Sequence, residues 1–228
     1  MMQTVAFKEQ GKILMGKLSR NAGIAALVLL LLSFAVSFRL PWWITWENGP
    51  VEMVQNAILA ESVFLCVYYY VTDKKKGRAD SPVSPGVWIL GALIFLLLLG
   101  REISWGRIFF LEYIGKFGPE FTDQAKLPYY RFVRPFVAVL GVLILFGFYK
   151  WFPRRSVLLQ VPFPVFPFAA LCLCAALALL GDAGILKHVI TNAASIALEE
   201  CTELIIYYLL LFLTWYYHKW FAYVKAEP

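Results

Sequence analysis

Apolar residues along this chain occur in six long runs that are separated by short polar segments. Each run is long enough, or nearly so, to cross about 30 Å of hydrocarbon as an α-helix that rises about 1.5 Å per residue. The pattern predicts an all-α, polytopic membrane helix bundle with six transmembrane helices, and residues 1–228 form a single integral membrane domain. The predicted spans cover residues 22–38, 51–72, 85–103, 133–151, 164–181 and 192–217.

The segment 105–131, between the third and fourth spans, mixes aromatic with charged residues. Its apolar runs are too short to cross a bilayer, and Gly118, Pro119 and Pro128 interrupt them. We predict an amphipathic outer segment, either an interfacial helix or a re-entrant loop. Either form could cap a cavity, and a plain amphipathic linker that lies on the bilayer fits the same pattern.

Composition agrees with a membrane protein and excludes several other classes. Hydrophobic residues make up 61% of the chain and the mean hydropathy is +0.67, which is well above the values of soluble domains. The net charge of +6 does not indicate a nucleic-acid partner, because no soluble basic face is present. All four cysteines fall in apolar runs, which favours packing residues over a disulfide framework. The partner that the composition predicts is the lipid bilayer.

The distribution of charge predicts the orientation. If the N-terminus is cytoplasmic, the inner segments carry 13 of the 21 basic residues but only 4 of the 15 acidic residues. This excess follows the positive-inside rule, and the tryptophans cluster near the span ends as interfacial residues do. We therefore expect a protein of the bacterial plasma membrane with both termini in the cytoplasm.

The last predicted span carries a cluster of acidic residues near its outer end. At 100° per residue, Asn192, Glu199 and Glu203 fall within about 40° of one another, with Glu200 and Tyr207 on the flank of the same stripe. An unpaired ionisable side chain inside a membrane costs at least a few kcal/mol, so such residues usually face a protein interior or a hydrated cavity. Three neighbouring acids also repel one another, which raises the pKa of at least one of them or requires a cation.

Other charges are expected on the same outer side. Glu52 begins the second span and Glu102 ends the third, where Arg101 and Arg107 lie close in sequence. We predict an outward-facing acidic pocket in which the carboxylates bind a cation or substrate, Asn192 and Tyr207 orient it, and the arginines supply counter-charge or hold phosphate. The pocket residues are Glu52, Glu102, Glu199, Glu200, Glu203, Asn192 and Tyr207.

Several carboxylates without a suitable histidine favour Mg²⁺, Ca²⁺ or Mn²⁺ over Zn²⁺, with Glu199, Glu203 and Glu102 as the candidate ligands. An equally weighted alternative is that the charged residues form interhelical ion pairs and cap helix ends. Glu61 lies about 13.5 Å deeper than Glu52 and on the opposite face of the helix. It fits either a proton relay or a buried neutral carboxyl group.

Three short segments, "ENGPVE" (47–52), "GREISWGR" (100–107) and "EECTE" (199–203), resemble a family of bacterial multipass membrane proteins with no assigned activity. That family carries an acidic pair before a helix, an E-E-I-S-W-G-Q-R segment and an EExxE final helix. In this chain Arg101 replaces one of the two acids of the middle motif, Arg107 replaces the usual glutamine, and Ile108 replaces the arginine. The resemblance implies a shared multipass architecture but no activity.

Three classes of function fit these residues. The first is binding or translocation of a cation or small molecule, and the second is a membrane-embedded, metal-dependent enzyme that acts on lipids or lipid-linked sugars. The third is a structural subunit whose acidic face pairs with a basic partner helix. No G-x-S-x-G, H-E-x-x-H, Walker or G-x-G-x-x-G pattern occurs in a suitable context, so no catalytic residue is assigned. The sequence does not specify an oligomeric state.

Overall fold

The structure is a computed structural model that describes residues 2–75, 83–115, 118–153 and 155–224. The described residues form seven α-helices, one two-stranded antiparallel hairpin and four short 3₁₀ turns. The helices are α1 Met2–Ser37, α2 Pro50–Lys75, α3 Gly86–Glu102, α4 Tyr130–Trp151, α5 Arg155–Leu158, α6 Val165–Asp182 and α7 Asn192–Val224, and the strands are β1 Leu111–Gly115 and β2 Gly118–Phe121.

Each predicted span overlaps one of the six long helices, which confirms the all-α class, although α1 begins 20 residues before its predicted span. Four described segments are long and apolar enough to cross a membrane, and they indicate a membrane protein. Of the other two long helices, α3 has only 17 residues, and α7 carries three glutamates near its start. The four candidate spans are Ile13–Ser37, Trp43–Lys75, Tyr130–Trp151 and Val165–Asp182.

The chain divides into two compact units, and the first contains α1, α5, α6 and α7. Small residues allow its three long helices to approach closely. A β-carbon built at Gly23 of α1 would lie 2.6 Å from the backbone carbon of Phe166 in α6, so only glycine fits there. The apolar core of this unit contains Ala26, Leu30, Ala170, Cys174, Ile205 and Leu209.

The second unit contains α2, α3, α4 and the segment between α3 and α4. Contacts between the end of α2 and the start of α3 show that these helices are antiparallel. Trp88 of α3 donates a hydrogen bond from Nε1 to Asp73 Oδ2 at 3.0 Å, and its ring meets that of Tyr69 edge to face at 5.3 Å. About one turn later in α3 and one turn earlier in α2, a β-carbon at Gly91 would lie 3.0 Å from Cys66 Sγ. The opposite ends of α2 and α3 are therefore also brought together.

The described residues of the segment 105–131 differ from one of the two predicted forms, the interfacial helix. Its described residues contain no α-helix before Tyr130, and β1 pairs with β2 instead. Ser104, Trp105 and Gly106 have φ angles of 46°, 53° and 93°, which end helical geometry directly after α3. Gly118 has φ 128° and lies against the Trp46 ring, where a β-carbon would come within 3.1 Å. The interfacial or re-entrant placement of this segment stays a prediction.

Some residues that support the predicted orientation lie outside the described residues. They are the basic residues Lys76, Arg78, Arg154 and Lys225 and the acidic residues Asp80 and Glu227.

Candidate functional site

The polar stripe that the sequence predicts on α7 becomes more buried along the helix. Asn192, the first residue of α7, is exposed, whereas Glu199 is half-buried. One turn further, Glu203 is only 7% exposed, and Tyr207 is 2% exposed. Helix rise separates Asn192 from Glu203 by about 16 Å. The stripe therefore leads from an exposed helix end to a buried carboxylate within the first unit. We call the residues Asn192, Glu199, Glu203 and Tyr207 the α7 stripe.

Glycine at the end of α6 makes room for one carboxylate of the α7 stripe. A β-carbon built at Gly181 would lie 2.7 Å from Glu199 Oε2 and 3.1 Å from the Glu199 β-carbon. Real β-carbons do not approach other atoms so closely, so any larger residue at position 181 would displace the Glu199 side chain. The close approach of Gly181 to Glu199 therefore sets the position of α7 along the axis of α6.

The start and middle of α7 satisfy their own polar groups. Thr191 precedes the helix, and its hydroxyl accepts a hydrogen bond from the Ala194 amide at 3.3 Å, as an N-cap does. The fully buried Thr202 donates its hydroxyl to the Glu199 carbonyl at 2.8 Å. The Thr202 hydroxyl is thus engaged by the helix itself, and the groups of this region that can carry charge are the carboxylates of Glu199, Glu200 and Glu203.

In the second unit, the structure joins two of the sequence motifs through an ion pair. The Arg107 guanidinium donates from Nη2 to Glu47 Oε1, with the two side chains 24% and 34% exposed. The same guanidinium lies 5.9 Å from the centre of the Phe121 ring in β2. This pairing confirms that the start of α2 and the end of α3 lie together. It also gives Glu47 and Arg107 the ion-pair role that the alternative interpretation expected.

Other charged residues near this ion pair have local partners. Glu52 accepts a hydrogen bond from the Asn48 amide at 2.7 Å and so caps the start of α2. Arg101 Nη1 lies 3.8 Å from Glu102 Oε1, and their side chains are 53% and 6% exposed. The Glu102 carboxylate is therefore almost covered although it ends a helix. Gln55, about one turn after Glu52 in α2, is fully buried.

The predicted site residues fall in both compact units. The α7 stripe and Glu200 belong to the first unit, whereas Glu52, Glu102, Arg101 and Arg107 belong to the second. A single pocket that contains both sets stays a prediction.

Among the described residues, no group of three or more His, Cys, Asp or Glu side chains is arranged to hold a metal ion. A divalent-metal site with Glu199, Glu203 and Glu102 as ligands stays a prediction, since these residues belong to both compact units.

Two other acidic residues differ from what the sequence indicated. Glu61 is exposed in α2, so the buried carboxyl group, one of its two predicted forms, is not present there, and a role as a proton relay stays a prediction. Asp73, which the sequence analysis treated only as an inner-side charge, is 4% exposed and is bonded to Trp88. The i, i+4 spacing of Tyr69 and Asp73 was the available signal, since both face the same side of α2.

Comparison with known proteins adds no family. No family model matches the chain, and no curated protein or solved structure matches it. The resemblance in "ENGPVE", "GREISWGR" and "EECTE" therefore stays a similarity of short segments. The functional argument rests on the geometry of the residues themselves.

Proposed function

We propose that this protein binds, and moves across the bacterial plasma membrane, a cation or a positively charged small molecule that the α7 stripe recognises. The observation that carries the proposal is the burial of Glu203, which is 7% exposed and lies one turn beyond the half-buried Glu199. A carboxylate that is shielded from water attracts a positive charge more strongly than an exposed one, because the local dielectric is lower. Glu199, Glu200 and Glu203 therefore concentrate negative potential at a place where a cationic ligand would be bound strongly.

The other residues of the stripe have distinct roles in this proposal. Glu199 and Glu200 add negative potential on the route to Glu203, and Asn192 lies where a ligand would enter from outside. Tyr207, one turn beyond Glu203, places a hydroxyl group at the buried end. Participation of Glu52 and Glu102 is part of the same proposal.

Cation-dependent stabilisation of the purified protein tests this proposal. The unfolding temperature would be measured in detergent with Na⁺, K⁺, Mg²⁺, Ca²⁺, Mn²⁺, choline and spermidine at constant ionic strength. We expect at least one cation to raise the unfolding temperature of the wild type, because a ligand that binds only the folded state stabilises it. Glu203→Gln should lose this response while it keeps the shape of the side chain.

Glu61→Gln is the matched control, since it removes one carboxylate from an exposed position of a candidate span. It should respond to the cation as the wild type does. If no cation stabilises the wild type, or if Glu203→Gln and Glu61→Gln behave alike, the proposed binding site is wrong. Uptake of the stabilising cation into proteoliposomes then separates transport from binding alone.

The proposal includes six membrane spans, with α3 and α7 added to the four candidates. At about 1.5 Å per residue, the 17 residues of α3 extend for about 25 Å, and the apolar part of α7 follows its glutamates. Six spans place both termini on one side, and the charge distribution favours the cytoplasm. Reporter fusions after Lys75 and after Gly184 should give cytoplasmic and external signals, respectively. The same side for both fusions would contradict this topology.

The ion pair between Arg107 and Glu47 weakens the alternative of an enzyme that acts on lipid-linked phosphates. That alternative uses Arg107 to hold phosphate, but its guanidinium already bonds to a carboxylate. Loss of lipid turnover in Glu102→Gln would nevertheless favour the enzyme over a binding protein.

A further inference from the structure

A groove of about 410 Å³ lies between the start of α4 and the turn that follows α3. This volume is within the range of pockets that hold small molecules. One wall is Trp105, whose ring packs edge to face on Phe136 at 5.8 Å and also contacts the position where Gly100 lacks a side chain. The opposite wall is the face of α4 that carries Val133 and Val137.

The polar residues of this groove lie toward the start of α4, where Val133 is between them, and only apolar residues line it further along the helix. Tyr130 and Arg134 line it near the helix start, and Gln124 joins them from the preceding segment. Val137 and Ala138 line it further along the helix. Helix rise separates Tyr130 from Ala138 by about 12 Å. Because α4 is a candidate span, its start lies near a membrane surface and its later turns face hydrocarbon. The groove is thus polar at the interface and apolar below it.

The charge of this groove is positive. Arg134 is exposed, and none of the described residues that line the groove is acidic. Among the described residues, Arg134 forms no hydrogen bond or ion pair. Arg131, one turn earlier, is also exposed, but its guanidinium lies 4.9 Å from the centre of the Phe132 ring and does not line the groove. Arg134 is therefore the cation that this groove offers to a ligand.

We propose that the groove binds one anionic phospholipid from the surrounding bilayer. Arg134 bonds the phosphodiester, Gln124 and Tyr130 donate hydrogen bonds to the headgroup, and an acyl chain packs along Val133, Val137 and Trp105. Guanidinium groups form strong bidentate bonds with phosphate. An amphipathic molecule matches the order of polar and apolar residues along α4, and the bilayer supplies such molecules at high concentration. This proposal is independent of the cation site on α7.

Lipid binding to delipidated protein in a neutral detergent tests the proposal. Native mass spectrometry would measure retention of phosphatidylglycerol and of phosphatidylcholine during titration. We expect phosphatidylglycerol to bind more tightly. Arg134→Gln should weaken its binding about tenfold, which corresponds to about 1.4 kcal/mol. Arg131→Gln is the matched control and should bind as the wild type does.

A second pair of variants tests the apolar part of the groove. Ala138→Trp fills the groove from an exposed position, so it should weaken phosphatidylglycerol binding without loss of fold. Val139→Trp, at the next position and 58% exposed, does not face the groove and should have no effect. This pair remains informative if Arg134→Gln fails to fold.

Three results would overturn the proposal. Equal binding by Arg134→Gln and Arg131→Gln would indicate a general attraction to a basic surface. Unchanged binding by Ala138→Trp would show that no acyl chain occupies the groove. Displacement of the lipid by inorganic phosphate or glycerol phosphate at comparable concentration would indicate a site for a free anion.

Discussion

The guanidinium of Arg107 bonds to the carboxylate of Glu47 across 60 positions of the chain. The pair connects the turn before α2 with the turn after α3, at the end of the second unit where the hairpin begins. Trp46, next to Glu47, packs against Gly118 of β2. The ion pair thus holds together the segments that lie at this end of α2 and α3.

Loss of this ion pair should destabilise the second unit. Arg107→Gln and Glu47→Gln should each lower the free energy of unfolding by about 1 kcal/mol, because both side chains are partly shielded from water. Thermal unfolding in detergent would measure the change, and the double variant should cost less than the sum of the two single variants. Arg101→Gln is the control, since Arg101 is 53% exposed and 3.8 Å from Glu102. An equal effect of Arg101→Gln would contradict a special role for the Glu47 pair.

Two glycines of α1 should respond in opposite ways to the same substitution. Gly23→Ala places a methyl group 2.6 Å from the Phe166 backbone, so we expect a loss of about 1–3 kcal/mol through overpacking. Gly16→Ala meets nothing within 4 Å and should stabilise the helix by about 0.5–1 kcal/mol. Unfolding temperatures of the two variants would check this. A stabilising Gly23→Ala would show that α1 and α6 do not approach closely.

Replacement of Trp88 tests the hydrogen bond that joins α2 to α3. Trp88→Phe keeps an aromatic ring beside Tyr69 but removes the donor to the buried Asp73. We expect a loss of about 1.5–3 kcal/mol, since the acceptor is a carboxylate. Trp215→Phe, which removes an equal part of a ring near Phe212, controls for the smaller side chain. The prediction fails if both variants unfold at the same temperature.

Tyr113 in the hairpin should titrate at a higher pH than an ordinary tyrosine. The Tyr113 hydroxyl donates a hydrogen bond to the Glu120 carboxylate across the two strands, and this bond raises the pKa of Tyr113 above its ordinary value. A raised pKa in the folded state means that the stabilisation is fully present below about pH 10 and is lost as the pH rises through the pKa of Tyr113.

Absorbance of tyrosinate during an alkaline titration would measure this shift, with Tyr113→Phe to identify the signal among the 12 tyrosines. In Glu120→Gln the pKa of Tyr113 should return toward its ordinary value. Identical titration curves for Glu120→Gln and the wild type would contradict the cross-strand bond.

Hydropathy and the residues at helix starts predicted the helices well. The features that they did not predict depend on contacts between residues that are distant in sequence. The second span was predicted to begin at residue 51, and α2 begins at Pro50, a residue type that suits the first position of a helix. The fifth span was predicted to begin at residue 164, and α6 begins at Val165, so Pro167 lies at the third position, where an amide needs no partner.

The hairpin could not be predicted in this way, because its packing depends on Trp46, which is 72 positions before Gly118. The exposure of Glu61 could not be predicted from the sequence either. Helical periodicity predicts on which face of α2 Glu61 lies, but it does not predict which helices pack against that face. The acids of α7 were expected to face a protein interior or a hydrated cavity, and Glu203 is buried within the first unit. A shared site of Glu203 with Glu52 and Glu102 depends on how the two units pack, and no short sequence pattern predicts that packing.

The length of α1 affects how this protein can be studied. Its 36 residues extend for about 54 Å, and the eleven helical residues before Ile13 account for about 16 Å of this length. A continuous helix of this kind behaves as a rigid spacer, unlike a glycine-rich linker. A fluorophore attached near residue 2 would therefore keep a nearly constant distance from the lipid surface, which makes the position suitable for energy-transfer measurements against labelled lipids.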